Sequence, residues 1–307
     1  MIDFFDKMRS WGGRRNPLLQ KLKVYGVWNT FVTWSANTIL PMYFKATAGK
    51  KENSLKGVPV EKGVMISLTS FGPRLEKLWL VIEGLLRQKT KPEKIVLYLT
   101  ASQVPDIEKL PQSLLKQRER GLEIVLCPDN IRSHTKYYYA MTQNPDKTVI
   151  TVDDDLFYRS DLVTELLKSS REYPGAICAN WVKEIIPGEE KYANWPDGHK
   201  RELKKNFLLL GVSGVLYPPH ALHEDAFDVG NIIDLCLTAD DVWLSCMAIR
   251  KGTPILYTAY KYNHLPVMIP NNETLISVNM ERNQVQVDNL NRHFLAATGK
   301  RPFVDLA

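Results

Sequence analysis

Between residues 64 and 152 the chain alternates two apolar patterns, and that alternation limits its fold more than any other feature. "VMISLTS" (64–70), "KIVLYLT" (94–100), "LEIVLCPD" (122–129) and "KTVITV" (147–152) are short runs of the buried-strand type. Between them, "RLEKLWLVIEGLLRQ" (74–88) places Leu75, Leu78, Trp79, Ile82, Leu85 and Leu86 at helical spacing. "LPQSLLKQRERG" (110–121) and "TKYYYAMTQNP" (135–145) read as shorter helices, closed by Gly121 and Pro145. Strands separated by helices predict an α/β fold with a Rossmann-like, mostly parallel sheet and helices on both faces.

The second half is less regular. "FLLLGVSGVLYPP" (207–219) is one strand or two, interrupted by Gly211 and Gly214. "LTADDVWLSCMAIRKG" (237–252) reads as a helix capped by Thr238 or Asp240 and ended by Gly252. A short strand (253–257), a loop "YNHLPV" (262–267) and one long polar helix or two (272–295) follow. No GxGxxG or phosphate-binding loop is present, which argues against dinucleotide or NTPase chemistry.

The formal charge of +6 is uneven, because residues 1–51 hold nine Lys/Arg and two Asp, leaving −1 for the rest. A nucleic-acid-binding protein would spread its cations over a face, so no nucleic-acid partner is expected. The four cysteines have no metal-type spacing and read as reduced core thiols in a reducing, cytoplasmic compartment. The first residues lack the apolar run of a cleavable signal. Residues 24–44 carry no charge but contain seven residues of Asn, Thr, Ser and Pro. Two readings fit residues 1–50: helices packed on the main domain or a partner, or peripheral contact at the inner face of the cell membrane. The expected organisation is a basic, aromatic segment (1–50), a linker (51–63) and a catalytic domain (64–307).

The fourth strand runs into three aspartates, "VITVDDDLFY" (149–158). In open parallel sheets ligands bind beyond the carboxyl ends of the strands. Strand alternation would point Asp153 and Asp155 the same way, an arrangement suited to a hard divalent cation that also takes phosphate oxygens. The alternative is a solvated acidic turn at a helix start. The same rim collects Thr69, Ser70, Arg74, Asp129, Arg132 and Lys136 from the other strand-end loops.

"VMISLTSFGPRL", "LLRQKTKPEKIVLYLT", "VITVDDDLFY", "GVSGVLYPP" and "TADDVWL", in that order, resemble GT-A fold glycosyltransferases. They are similar in particular to bacterial family 2-like enzymes of surface polysaccharide (capsule and lipopolysaccharide) assembly. The resemblance runs from about Val64 to Asn283. It implies a nucleotide-sugar donor, Mn2+ or Mg2+, and hexosyl transfer to a glycan or lipid-linked acceptor hydroxyl. By that resemblance Thr69, Ser70 and Arg74 line the nucleoside pocket, Asp129 approaches the base, and Arg132 and Lys136 approach the nucleotide. Asp153 faces ribose or metal, Asp155 ligates the metal, Asp154 touches the sugar, and His264 completes the metal site. Gly211 and Gly214 allow close backbone approach to sugar or acceptor, and Arg282 and Asn283 contact phosphate. Apart from the resemblance, Trp181 and Trp195 flank a stretch that either forms an acceptor wall or simply packs. Inverting transfer needs a carboxylate base, and Asp240 or Asp241 supplies it, with Asp240 preferred. The rival readings are a nucleotidyltransferase of related fold and a non-catalytic binding protein of GT-A type.

Overall fold

Among the described residues of this computed structural model, two α-helices, α1 (Ile2–Trp11) and α2 (Val24–Thr47), precede the first strand. Residues 1–11, 24–269 and 276–306 are described, with side chains from 281 onward in the last stretch. The basic residues Arg14, Arg15, Lys21 and Lys23 lie outside the described residues.

The chain then alternates as the sequence pattern requires: β1 (Glu61–Thr69), α3 (Leu75–Leu86), β2 (Pro92–Thr100), α4 (Gln112–Leu115), β3 (Leu122–Cys127), α5 (Thr135–Gln143) and β4 (Thr148–Thr151). These are followed by α6 (Leu162–Glu172), β5 (Ile177–Ala179), β6 (Val182–Glu184), β7 (Glu202–Lys204), β8 (Phe207–Leu209) and β9 (Val215–Tyr217). Helix α7 (Val229–Cys236), α8 (Asp240–Lys251), β10 (Ile255–Tyr257) and α9 (Ile276–Thr298) complete the order.

Eight strands form one sheet in the order β3-β2-β1-β4-β9-β5-β10-β7. Strands β3, β2, β1 and β4 run parallel, as do β5 and β10, whereas β9 and β7 run antiparallel to their neighbours. The apolar run at 207–219 is thus two strands in two sheets: β8 pairs with β6 in a separate ribbon, and β9 enters the main sheet. Glycine at 211 and 214 brackets the turn between them.

Alternate residues of each strand face opposite layers. Ile66, Leu68, Ile95, Leu97, Ile150 and Leu216 pack with α2, α3 and α6. Met65, Val96, Tyr98, Val149, Val215 and Tyr217 pack with α5, α7, α8 and α9. All four cysteines are buried and unbridged.

The order reverses at β1, because β2 and β3 lie on one side of it and β4 on the other. That reversal opens a crevice between the carboxyl ends of β1 and β4, the usual ligand position of such sheets.

The N-terminal helices are part of the main body. Val32, Ala36, Leu40 and Phe44, four residues apart, line one face of α2 and join the core under α3. Two specific ties are added: Ser160 donates to the Asp3 carboxylate of α1, and Arg87, just after α3, lies over the Phe44 ring of α2.

Candidate active site

Asp153, Asp154 and Asp155 lie in a turn just past the end of β4. Asp154 is buried, while Asp153 and Asp155 keep partial exposure. The alternation expected of a strand is therefore produced by the turn. From the loop after β1, Arg74 forms an ion pair with Asp154 and reaches Asp155 Oδ2 at 3.2 Å. A planar guanidinium can hold two neighbouring carboxylates in this way, where an ammonium would act as a point charge.

Lys136 enters from the opposite side. Its helix, α5, follows the β3 loop and packs on β1, and the Ser67 hydroxyl donates to the Lys136 carbonyl. The Lys136 ammonium donates to Asp153 Oδ1 at 2.8 Å and lies 3.0 Å from Asp240 Oδ2. One buried cation thus joins the β4 turn to the first turn of α8.

Neither Thr238 nor Asp240 caps α8 as expected. Ala239 occupies the cap position without a side-chain bond, and the Thr238 N–H goes to Gln286 Oε1. The Asp240 carboxylate turns to Lys136, and Asp241 Oδ1 accepts the Gly211 N–H at 2.9 Å. A Cβ at Gly211 would sit 2.9 Å from that same oxygen, so the close approach requires glycine. Gly214 adopts φ +90, and a Cβ there would stand 3.1 Å from Leu162 Cδ1. Tyr158 ties the two turns together, accepting the Asp153 N–H at 2.8 Å and donating to Val212 O.

Charge is distributed unequally over these carboxyl groups. Burial works against the Lys136 charge, but Asp153, Asp240 and Asp241 outweigh it and hold the ammonium firmly protonated. Burial pushes Asp240 up, and Lys136 with His134 more than reverses this, so Asp240 ends below the usual carboxylate range. Asp241 goes the other way: burial and the neighbouring Asp240 push it well up, against Lys136 and the Gly211 N–H. Asp241 nevertheless retains a solvent-facing edge. Burial and repulsion from Asp153 and Asp154 raise Asp155 to about 6 despite Arg74 and Lys136. Burial likewise raises Asp154, with Arg74 and Ser70 opposing it.

Several expected residues meet here: Ser70, Arg74, Lys136, Asp153, Asp154, Asp155, Asp240 and Asp241. Asp154 Oδ2 is buried without a hydrogen bond, and the carboxylate faces Ser70 and Arg74, not an open sugar pocket. Asp129 and Arg132 stay exposed at the outer end of the rim, where Asp129 accepts from the Tyr139 hydroxyl at 3.0 Å. Thr69 ends β1 beside the crevice and is partly exposed.

His264 shares a hydrogen bond with the Ser213 hydroxyl, and its ring stacks on Trp181 with centroids 4.7 Å apart. Among the described residues no three His, Cys, Asp or Glu side chains converge to hold a metal ion. Asp153 and Asp155 offer two hard oxygen donors in one turn, and Asp155 is raised first by burial and then by Asp153 and Asp154, against Arg74 and Lys136. Such a pair fits Mg2+ or Mn2+, which is commonly held by one or two carboxylates plus substrate phosphates.

Trp195 is buried against Tyr192 and Phe303, a packing role. Asn283 contacts Tyr192. Arg282 lines a groove between α7 and α9. Sequence reasoning missed Tyr158 and Ser213, and nothing in the spacing of these common residues marks them. A groove of about 830 Å³ lies against the exposed edge of β3 and holds none of these carboxylates, so chemistry rather than volume locates the site.

No family model and no curated protein sequence matches the chain. Among solved structures, it is similar to the mannosyltransferase PcManGT from Pyrobaculum calidifontis in complex with GDP-Man and Mn2+, at 12% identity and TM-score 0.49, over 91% of this chain and 78% of that one. Staphylococcus aureus TarS 1–349 is similar at 14% identity and TM-score 0.41, over 75% and 71%. Francisella tularensis 2-C-methyl-D-erythritol 4-phosphate cytidylyltransferase is similar at 15% identity and TM-score 0.39, over 73% and 98%. Likeness this distant carries no chemistry from those proteins to this chain.

Proposed function

We propose that the protein is a metal-dependent glycosyltransferase that moves a sugar from a nucleotide-sugar donor to a hydroxyl of a glycan or lipid-linked acceptor, with inversion. The observation that carries the reading is the Lys136 bridge, 2.8 Å to Asp153 and 3.0 Å to Asp240. It puts an acidic strand-end turn and a carboxylate pair at a helix start into one crevice. Asp153 and Asp155 would hold Mn2+ or Mg2+, which when bound would neutralise the diphosphate leaving group.

The chain's own groups have separate roles in this reading. Arg74 fixes the turn by binding Asp154 and Asp155. Lys136 is occupied by Asp153 and Asp240, so Asp240 is an ion-pair partner and Asp241 the better base. The Gly211 N–H orients one Asp241 oxygen and leaves the other for the acceptor proton. Burial and the neighbouring Asp240 raise the affinity of Asp241 for a proton, the direction that favours a general base over a permanently ionised carboxylate.

The test is a panel of nucleotide sugars with Mn2+, read as nucleoside diphosphate release with and without chelator. Metal-dependent release supports the reading. Turnover of nucleoside triphosphate and sugar phosphate to pyrophosphate, with every nucleotide sugar untouched, would replace it with a nucleotidyltransferase. The β1 loop speaks against that alternative, since its single cation, Arg74, is already engaged by aspartates.

A further inference from the structure

Helix α2 is apolar on both sides. Opposite its buried stripe, Val24, Val27, Phe31, Trp34 and Met42 form a second stripe, interrupted by Thr38 and open to solvent. Val27 is 72%, Trp34 58% and Met42 69% exposed. Helix α1 adds Phe4 and Trp11, the latter 79% exposed. Ten of the seventeen exposed large apolar side chains among the described residues fall within residues 1–43. A helix lying on a soluble domain normally turns polar residues outward, and an apolar patch of this kind marks an interaction surface.

We propose that this face docks on an anionic lipid bilayer, lying in its surface. Charge selects the occupant: residues 1–51 carry nine Lys/Arg against two Asp, while the remaining chain is at −1. Lys7 of α1, Lys45 of α2, and Lys50 and Lys51 just after α2 are all exposed. Apolar and tryptophan side chains with flanking lysines match the acyl boundary and anionic headgroups of a membrane interface. Crossing is excluded for α2, because its other face is committed to the protein core and no helix among the described residues is long and apolar enough to span.

The same two helices hold a wall of the candidate site. Asp6, buried, accepts the Asn263 N–H at 2.9 Å, and Arg9 donates to the Asn263 carbonyl at 3.1 Å. Asn37 donates to the Pro266 carbonyl at 2.9 Å and accepts the Met268 N–H at 2.8 Å. Residues 263–268 include His264 and pair directly with the acidic turn, through Val267 N–H to Asp155 O at 2.8 Å and Phe157 N–H to Leu265 O at 2.9 Å. Docking therefore sets the carboxylates at a fixed remove from the lipid surface. The consequence that a lipid-linked acceptor is met there rests on the transfer reading; bilayer binding itself does not.

The experiment is co-sedimentation of the full chain with phosphatidylcholine vesicles, with and without phosphatidylglycerol, in the absence of any nucleotide sugar. The wild type should bind the anionic vesicles at least about tenfold better, less so at high salt. Val27→Ser/Phe31→Ser/Trp34→Ser should lower that binding by about tenfold or more while its melting temperature stays near that of wild type. Lys7→Glu/Lys50→Glu, which alters no packed side chain, should also weaken it and serves if the triple variant fails to fold. Undiminished binding by either folded variant, or equal binding to both vesicle types, overturns the proposal. So does a wild type that ignores vesicles but self-associates through this face, which would assign it to a second copy. No turnover is read, so failure here leaves the transfer reading standing, and the reverse also holds.

Discussion

Lys136→Met should cost more stability than an ordinary core substitution. At an effective dielectric near 20, a charge pair at 2.8 Å and another at 3.0 Å are each worth about 6 kcal/mol before desolvation. Taking the ammonium out of water returns several kcal/mol of this. What remains on removal of one partner is the penalty of leaving buried carboxylates uncompensated, about 3–5 kcal/mol. Asp240, with a side chain 11% exposed, bears more of it than Asp153 at 29%. The assay is urea unfolding of wild type, Lys136→Met, Asp240→Asn and the double variant. Lys136→Met should lose about 3–5 kcal/mol, and the double variant should be more stable than the sum of the singles by at least about 1 kcal/mol. A loss under about 1 kcal/mol, or strict additivity, would refute the bridge as the joint between the two carboxylate groups.

Asp241→Asn should lower turnover by about 10²-fold or more, the scale of a lost general base, while preserving the fold; unchanged turnover would return the base to Asp240. Gly211→Ala should reduce turnover more than donor affinity, because the new methyl would stand 2.9 Å from Asp241 Oδ1 and move the carboxylate; steady-state kinetics separates the two. Burial depresses His134 to about 4, so it is neutral in the fold, and its contribution is complete above its unfolded value and is lost as pH falls below it. Unfolding free energy relative to His134→Gln should drop by about 2 kcal/mol between about pH 7.5 and 5, and a constant difference would contradict the burial of a neutral imidazole.

The sheet's parallel half was legible because its strands and α3 are long enough to show a period. Strands β5, β6 and β7 have three residues each, too few for any pattern to declare itself, whereas β8 and β9 showed only as one apolar run. Helix α2 was ambiguous for a physical reason now visible: both faces are apolar, so its sequence matches a packed helix and a membrane-surface helix at once. The acidic turn was legible from its place after β4, but its internal division was not. Asp154 is set apart by Arg74, 80 residues away, and Asp240 from Asp241 by Lys136, over a hundred residues away. Pairings at that separation leave no local trace, so nothing near Asp240 and Asp241 in the sequence separates an ion-pair partner from a base.

Calorimetric titration of nucleoside diphosphates into the protein, with Mn2+ or with chelator, tests the claim that the acidic turn is a metal-nucleotide site. The wild type should bind at least one nucleoside diphosphate only in the presence of metal. Asp155→Ala should lose that binding by about 10²-fold or more, yet melt no lower, because burial and its neighbours hold the Asp155 carboxyl up at about 6 in the fold. Binding that survives chelation, or is unchanged in Asp155→Ala, would contradict the account.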